Sequence, residues 1–484
     1  MRRLLIGVGA ALALLSPAVF PAPAAAASAP PVTIPAVQEW FAGQGASYRF
    51  GQDTRVVLSA ADAPVLGRTA DRLAGDLASM TGVRVRTAVG SASPGDISLR
   101  TADPGHAGRE AYRADIGSVL AIRAATDHGV FNGTRTVLQL IHQNPAIAAG
   151  TIVDWPAYPE RGLMLDLGRK YLSTDFLRAR IRELSYLKLN VLHLHLSDSG
   201  GFRLESGTHP EIVADQHYTK REIRDLITYA ADYNVEIIPE LDFPAHADPV
   251  VAAHPELKLA PGMLDLSKPA TYDLLRDLFT EFLPLFPGRY FHVGADEYLQ
   301  DTASQDALRR YINWADGLVQ TAGKTTRVWN DGLRPGGTVT VNPDVVVEHW
   351  SQHGLGALPW TGPAYTAPQL AARGHRVLNA AYTPTYYTTD ALGQLLTAPE
   401  AALYDGWDPS VFVDGSRVTQ PGGNLGSKIS LWFNDPSWSE PRAERALDHR
   451  LRTMSQQTWG SPKPAPTYLF YLPVIRKVGE APPA

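Results

Sequence analysis

From Arg161 onward, apolar runs of strand length alternate with stretches of helical spacing, and the strand-like runs number eight. They are Gly162–Arg169, Val191–Asp198, Val235–Asp242, Arg289–Glu297, Thr326–Leu333, Val345–Trp350, Arg376–Thr383 and Lys428–Asp435. One helical stretch opens on the capping box Thr219-x-x-Glu222 and places Ile223, Leu226, Ile227 and Ala230 on one face. Continuous apolar runs suit strands covered on both sides, as in a parallel sheet flanked by helices. Eight of them predict a (β/α)8 barrel, an α/β fold that would absorb ~250 or more of the residues. The 484-residue chain then has room for one smaller domain besides. An open doubly wound sheet is the competing architecture, but no glycine-rich phosphate loop follows the first run to support it.

Residues 31–150 read as that smaller unit, an α+β domain ahead of a catalytic barrel at 151–484. Thr54–Ala60, Ile97–Arg100 and Ser118–Ala124 have strand character, and Val65–Met80 and Gly129–Gln143 have helical spacing. No acid, base and nucleophile gather there, so it reads as scaffold, with its boundary in the Ala/Gly/Pro stretch from Asn144 to Pro159. Residues 1–29 read as a signal peptide: Arg2 and Arg3, the apolar run Leu4–Leu15, then Ala25-Ala26-Ala27 as the cleavage site. A secreted protein is expected, with no membrane anchor, since no later run of ~18 uninterrupted apolar residues follows. The absence of cysteine excludes disulfides, thiolate metal sites and a cysteine nucleophile. A net charge of −5 argues against nucleic acid as a partner.

Polar residues collect at the ends of the barrel strands: Asp166 and Arg169, Asp198, Glu240 and Asp242, Asp296 and Glu297, Trp329 and Asp331, Trp350, and Trp432. In a barrel those ends share the face where active sites are built. Asp296 and Glu297 are adjacent, so both reach one pocket only if the backbone turns, which the strand end and Gly294 permit. Two carboxylates in one pocket separate their proton affinities, the arrangement needed to protonate a glycosidic oxygen. The bland alternative is a solvated acidic pair opening the next helix. Trp329, Trp350 and Trp432, with Tyr386 and Tyr387 nearby, shift the balance, because aromatic faces suit the C–H surfaces of sugars. His193-x-His195 raises a second hypothesis, a metal-dependent amidohydrolase drawing also on His246 and His292. The pair lies inside its strand, however, and reads better as core histidines satisfied by their neighbours.

The segments RGLMLDLGR (161–169), KLNVLHLHLSDSGGFRLES (188–206), VEIIPELDFPAH (235–246) and FHVGADE (291–297) together resemble glycoside hydrolase family 20, the β-N-acetylhexosaminidases. VWND (328–331), EHW (348–350) and LWFND (431–435) fit the same resemblance, which covers nearly all of the chain after residue 30. It implies a retaining mechanism in which the substrate's own 2-acetamido oxygen attacks C1, with no cofactor and no metal. Glu297 would then be the acid and base, and Asp296 would orient the acetamide. Asp198 and His246 would form a dyad behind Glu297, with Asp242 in support. The resemblance further implies that Tyr386 or Tyr387 donates to the acetamide and that Trp329, Trp350 and Trp432 wall the sugar. Arg161 would hold sugar hydroxyls.

Four departures from the family pattern stand out. The usual aspartate-aspartate-glutamine-glycine-tryptophan run is Asp198-Ser199-Gly200-Gly201-Phe202 here. Ala295 and Ala245 stand where glycine is usual, small for small and expected to cost little. Asn434 stands where many members place an acid, with Asp435 next, and Tyr386-Tyr387-Thr388 lacks the usual aspartate. A pocket without those acids would tolerate substitution at O4 and O6 of a terminal sugar, as in lacto-N-biosidases or relatives that cut β-1,6-linked glucosamine polymers. Segment 384–427, including Trp407, would make that choice.

Overall fold

A computed structural model of the protein describes residues 29–354, 362–391, 393 and 398–464. The signal-peptide segment, apart from its last residue, lies outside them.

The first unit is a seven-stranded mixed sheet: β1 (Glu39–Ala42), β2 (Arg55–Leu58), β3 (Arg86–Val89), β4 (Ile97–Thr101), β5 (Tyr112–Ile116), β6 (Leu120–Ala124) and β7 (Gly150–Asp154), in the order β1-β7-β5-β6-β4-β2-β3. The expected strands and helices are present, as β2, β4, β6, α1 (Ala63–Thr81) and α2 (Asp127–Gln143). Strands β1, β3, β5 and β7 are found in addition, and of these β5 does alternate along its sequence, Tyr-Arg-Ala-Asp-Ile. Strand β7 falls in the stretch read as a linker and pairs with β1 and β5, so the first sheet runs on to Asp154.

Every residue of α2 from Gly129 to Ile141 is buried; the helix packs on the sheet and on α1, and Gln139 donates to Tyr186 O of the second unit. Gly133 sits where an added Cβ would lie 2.5 Å from the Ile122 side chain. The apolar core runs on from one unit into the other, and buried polar contacts cross the seam as well. Lys188, fully buried, bonds Asp154 at 2.8 Å, and Trp459 Nε1 donates to the other oxygen of Asp154.

The second unit is the expected (β/α)8 barrel. Its strands are β8 (Glu160–Asp166), β9 (Val191–His195), β10 (Glu236–Phe243), β11 (Tyr290–Gly294), β12 (Thr325–Trp329), β13 (Val346–His349), β14 (Val377–Asn379) and β16 (Asn424–Trp432), all parallel, with β16 pairing back to β8 to close the ring. A short strand, β15 (Tyr386–Thr388), runs beside the end of β16. Helices α3 (Thr174–Tyr186), α4 (Lys220–Asp232), α6 (Pro269–Phe282), α7 (Thr302–Thr321) and α8 (Glu440–Trp459) belong to this unit, and the short α5 (Asp248–Ala253) follows β10. The capping box forms as read, with Thr219 accepting from Glu222 N–H and the Glu222 carboxylate accepting from Thr219 N–H. Among the described residues, no helix is long and apolar enough to cross a membrane.

Candidate active site

The carboxyl ends of β9, β10, β11 and β12 bring Asp198, Asp242, Asp296, Glu297 and Asp331 to one face. Between Gly294 and Glu297 the backbone leaves the extended region: φ is +74° at Gly294, +74° at Ala295 and +47° at Glu297. This is the turn that adjacent residues need if both are to enter one pocket. Gly294 is also obligatory by space, since an added Cβ would lie 1.8 Å from Asp242 Oδ1. Ala295 is therefore not a neutral stand-in for glycine, because a left-handed alanine costs about 1 kcal/mol. His246 adopts φ +53°, a third strained non-glycine position at this face.

His246 stands at the centre of the acids. Its Nδ1 lies 3.3 Å from Asp198 Oδ2, and its Nε2 lies 3.4 Å from Glu297 Oε2 and 3.8 Å from Asp296 Oδ2. Burial alone would strip its proton, but Asp198 and Asp296 outweigh that and hold its pKa well above the usual value. His195 behaves alike, with Nδ1 2.7 Å from Glu240 and Nε2 3.0 Å from Asp198. Burial would raise Asp198, yet His246, His195 and Arg169 keep it ionised well below the ordinary carboxylate range.

Other acids go the opposite way. Asp242 is fully buried, its oxygens accept no hydrogen bond from the described residues, and burial together with the Asp296 charge pushes its pKa well up. Held neutral, Asp242 has an O–H to give to Asp296. Asp296 itself is raised by burial and by the charge of Glu297. Asp331 is raised by burial and Asp296, while it accepts from Trp350 Nε1 at 2.5 Å and from Glu297 N–H at 2.9 Å. Burial would raise Glu297, but its hydrogen bond to His246 and the charges of His246 and Arg169 leave it lowered. One pocket thus holds acids sorted into neutral and ionised forms, with the proton nearest Glu297 residing on His246.

Aromatic rings enclose this group. Met164, Trp329, Trp350, Ala380 and Trp432 form a separate apolar cluster, and Tyr386 packs on it, stacked on Trp350 at 6.1 Å with the rings 7° from parallel. Trp329 is fixed by donation from Nε1 to Glu240 at 2.6 Å. Trp432 lies 6.1 Å from Trp329, and its buried Nε1 donates to no described residue.

The structure brings together Asp198, His246, Asp296, Glu297, Trp329, Trp350, Tyr386 and Trp432, and it corrects other expectations. Arg161 is the second residue of β8, at the opposite end of the barrel, where it is 1% exposed and forms a bidentate pair with Glu110 at 2.7 and 2.9 Å. The arginine at the site is Arg169, which lies past the carboxyl end of β8 and bonds Asp166 at 3.0 Å and Asp198 at 2.9 Å. Strand polarity would have chosen between them, since only the second arginine follows its strand. Tyr387 points away from Tyr386, onto Trp438 and Arg450, as neighbours on a strand must. Trp407 belongs to the main apolar core and donates to Val411 O at 2.9 Å, so it is packing and not pocket wall. Asp242 backs Asp296 and offers no exposed surface to a sugar. Asn434 is an exposed rim residue bonded to Asp390 at 3.1 Å, and Asp435 accepts Ser437 N–H in the next turn.

Glu240 and the interior histidines were undervalued in the sequence. His193 Nε2 faces Glu240 at 3.1 Å, and Lys428 donates to His193 Nδ1. Burial and that ammonium hold His193 neutral, with its pKa lowered to about 3. His193, Glu240 and His292 place ligand atoms within 4.8 Å of one another, as a metal site would, but Lys428 sets a positive charge against the same histidine. The bland reading of the pair therefore holds for His193. His195, bridging Glu240 and Asp198, instead links the barrel interior to the acid cluster.

Comparison with known proteins agrees with this geometry. The pattern described as "Glycosyl hydrolase family 20, catalytic domain" matches residues 158–432, and "Glycosyl hydrolase family 20, domain 2" matches residues 30–155. A lacto-N-biosidase of Bifidobacterium bifidum is 30% identical over 483 aligned residues, covering 93% of this chain and 42% of that protein. The chain thus spans less than half the length of that relative. A beta-N-acetylhexosaminidase of Cellulomonas fimi is 28% identical over 84% of this chain and 85% of its own. The Streptomyces plicatus beta-hexosaminidase D313N variant, solved with its product GlcNAc, superposes with a TM-score of 0.75 at 26% identity, covering 89% of this chain and 90% of that one. With both its domains matched in order, and with a barrel whose strand ends carry the paired acids, the chain belongs to glycosyl hydrolase family 20, a family of glycosidases.

Proposed function

We propose that this protein is a secreted, retaining glycosidase that cleaves β-linked N-acetylhexosamine through the substrate's own acetamide. The observation that carries the reading is the left-handed turn at 294–297, which aims two adjacent carboxyls of unlike proton affinity into one aromatic pocket. Asp296, backed by the O–H of Asp242, accepts the acetamide N–H and directs the carbonyl oxygen to C1. Attack by that oxygen is intramolecular and needs no protein nucleophile. Asp296 then faces the positive charge of the oxazolinium formed. Tyr386, on the acetamide side of the Trp350 stack, donates to the acetamide oxygen. Glu297 protonates the leaving oxygen and later takes a proton from water.

Glu297 is ionised in the open site, so it must first acquire its proton. A sugar covering the pocket removes water from the carboxylate and raises its proton affinity. His246, protonated and 3.4 Å away, is the source. Arg169 presents the guanidinium for sugar hydroxyls that Arg161 cannot reach. The test is hydrolysis of nitrophenyl β-GlcNAc against nitrophenyl β-glucoside. Only the first should turn over, and equal rates would sink the mechanism.

A second reading, release of a disaccharide, draws support from two observations. The lacto-N-biosidase likeness runs over 93% of the chain. At the end of β16, Asn434 is exposed at the rim and Asp435 is turned to its own loop, so that strand directs no free carboxylate at a terminal sugar. Nitrophenyl lacto-N-bioside cleaved with release of intact disaccharide would select it.

A further inference from the structure

Two tetrapeptides of this chain are near copies, His209-Pro210-Glu211-Ile212 and His254-Pro255-Glu256-Leu257. Each folds into the same device, a 3-10 turn (Pro210–Ile212 and Pro255–Leu257) preceded by its histidine at φ −134°, ψ 64° and φ −124°, ψ 68°. The tertiary fold sets the two copies against each other, with the imidazoles edge to face at 6.0 Å. Both rings converge on one oxygen, Glu211 Oε1, from His209 Nδ1 at 2.9 Å and His254 Nε2 at 2.8 Å.

The outer nitrogens are also faced by carboxylates. His209 Nε2 lies 3.5 Å from Asp277 Oδ2 and takes part in no hydrogen bond with the described residues, and His254 Nδ1 lies 3.4 Å from Glu256 Oε1. A ring that ligates a cation through its inner nitrogen carries its N–H on the outer one. One cation held between the inner nitrogens and Glu211 would leave each outer N–H facing a carboxylate. Each ring moves its proton to the outer nitrogen, which then donates to Asp277 or Glu256. Histidine that ligates through one nitrogen and donates through the other to a carboxylate is the usual support of a zinc ligand. The inner atoms lie within 4.8 Å of one another, and tetrahedral zinc at 2.0–2.1 Å from nitrogen separates its ligands by about 3.3 Å.

We propose that His209, Glu211 and His254 form a zinc site distinct from the candidate active site, with water in the fourth position. Two imidazoles and a carboxylate favour zinc over magnesium or calcium. The metal would tie the loop after Leu204 to the turn that ends α5, the short helix following His246. Calorimetric titration of metal-free protein with zinc, with thermal unfolding alongside, tests this. One equivalent should bind and raise the melting temperature, and anomalous scattering at the zinc edge should place the ion between the two rings. Glu211→Gln with His254→Gln, both on partly exposed residues, should abolish this equivalent, and Asp277→Asn should weaken it by ~10–100-fold. Zinc uptake unchanged in the double variant, or no zinc-dependent heat or stabilisation in the parent protein, would overturn the proposal.

Discussion

The two ends of the barrel interior use the same residue types to opposite effect. Toward the amino ends of the strands, charges alternate and match: Glu160 with Arg327, Arg327 with Glu348 at 3.0 Å, and Glu348 with Lys428. Glu348 is fully buried, yet its cationic neighbours hold its pKa far below the usual carboxylate range against the pull of burial. Toward the carboxyl ends, Asp242, Asp296, Asp331 and Glu297 outnumber the cations His246 and Arg169, and two of the acids are driven neutral. Compensated charge fixes a structure. Uncompensated charge, held by strained backbone, leaves protons free to be exchanged.

The largest break in this contrast should come from the upper end. Glu297→Gln is expected to lower kcat by ~10²–10⁴-fold on substrates with poor leaving groups, and by less on activated aryl glycosides. Equal losses on both would remove Glu297 from the acid role. At the lower end, Lys428→Met should leave turnover chemistry alone while costing about 3 kcal/mol of stability, because it leaves the buried Glu348 with Arg327 as its remaining cationic partner. Urea unfolding at neutral pH measures this, and a shift under 1 kcal/mol would show the lower ladder to be uncoupled.

A smaller effect concerns pH. His193 has a folded pKa of about 3 against an unfolded value near 6.5, so between those values the unfolded chain binds the extra proton and stability rises with pH. His193→Gln should flatten the stability slope from pH 4 to 6 by up to about 1.4 kcal/mol per pH unit, and an unchanged slope would contradict a neutral His193. The smallest effect is expected at the turn. Ala295→Gly should relieve left-handed strain and raise stability by about 0.5–1 kcal/mol, less what glycine adds to the freedom of the unfolded chain.

Much of this molecule was legible in one dimension. Eight apolar runs gave the barrel because parallel strands are buried on both faces and must be apolar throughout, and the strand-end rule then pointed to Asp198, Asp296, Glu297 and the tryptophans. Strands β1 and β3 of the first sheet escaped notice because they are mostly exposed and carry little pattern. The capping box is local in origin, and the sequence alone settled it, whereas glycine at 294 is required by Asp242 of the neighbouring strand.

Tertiary structure decided the rest, because it alone brings distant charges within a few ångströms. Arg169 rather than Arg161, Tyr386 rather than Tyr387, and Trp407 as packing all turned on which way a side chain faces after the ring closes. The protonation pattern was equally beyond the sequence. Asp198 and Asp242 are the same residue at neighbouring strand ends; His246, His195 and Arg169 keep the first ionised against burial, while burial and the Asp296 charge outweigh His246 and His195 at the second and raise it.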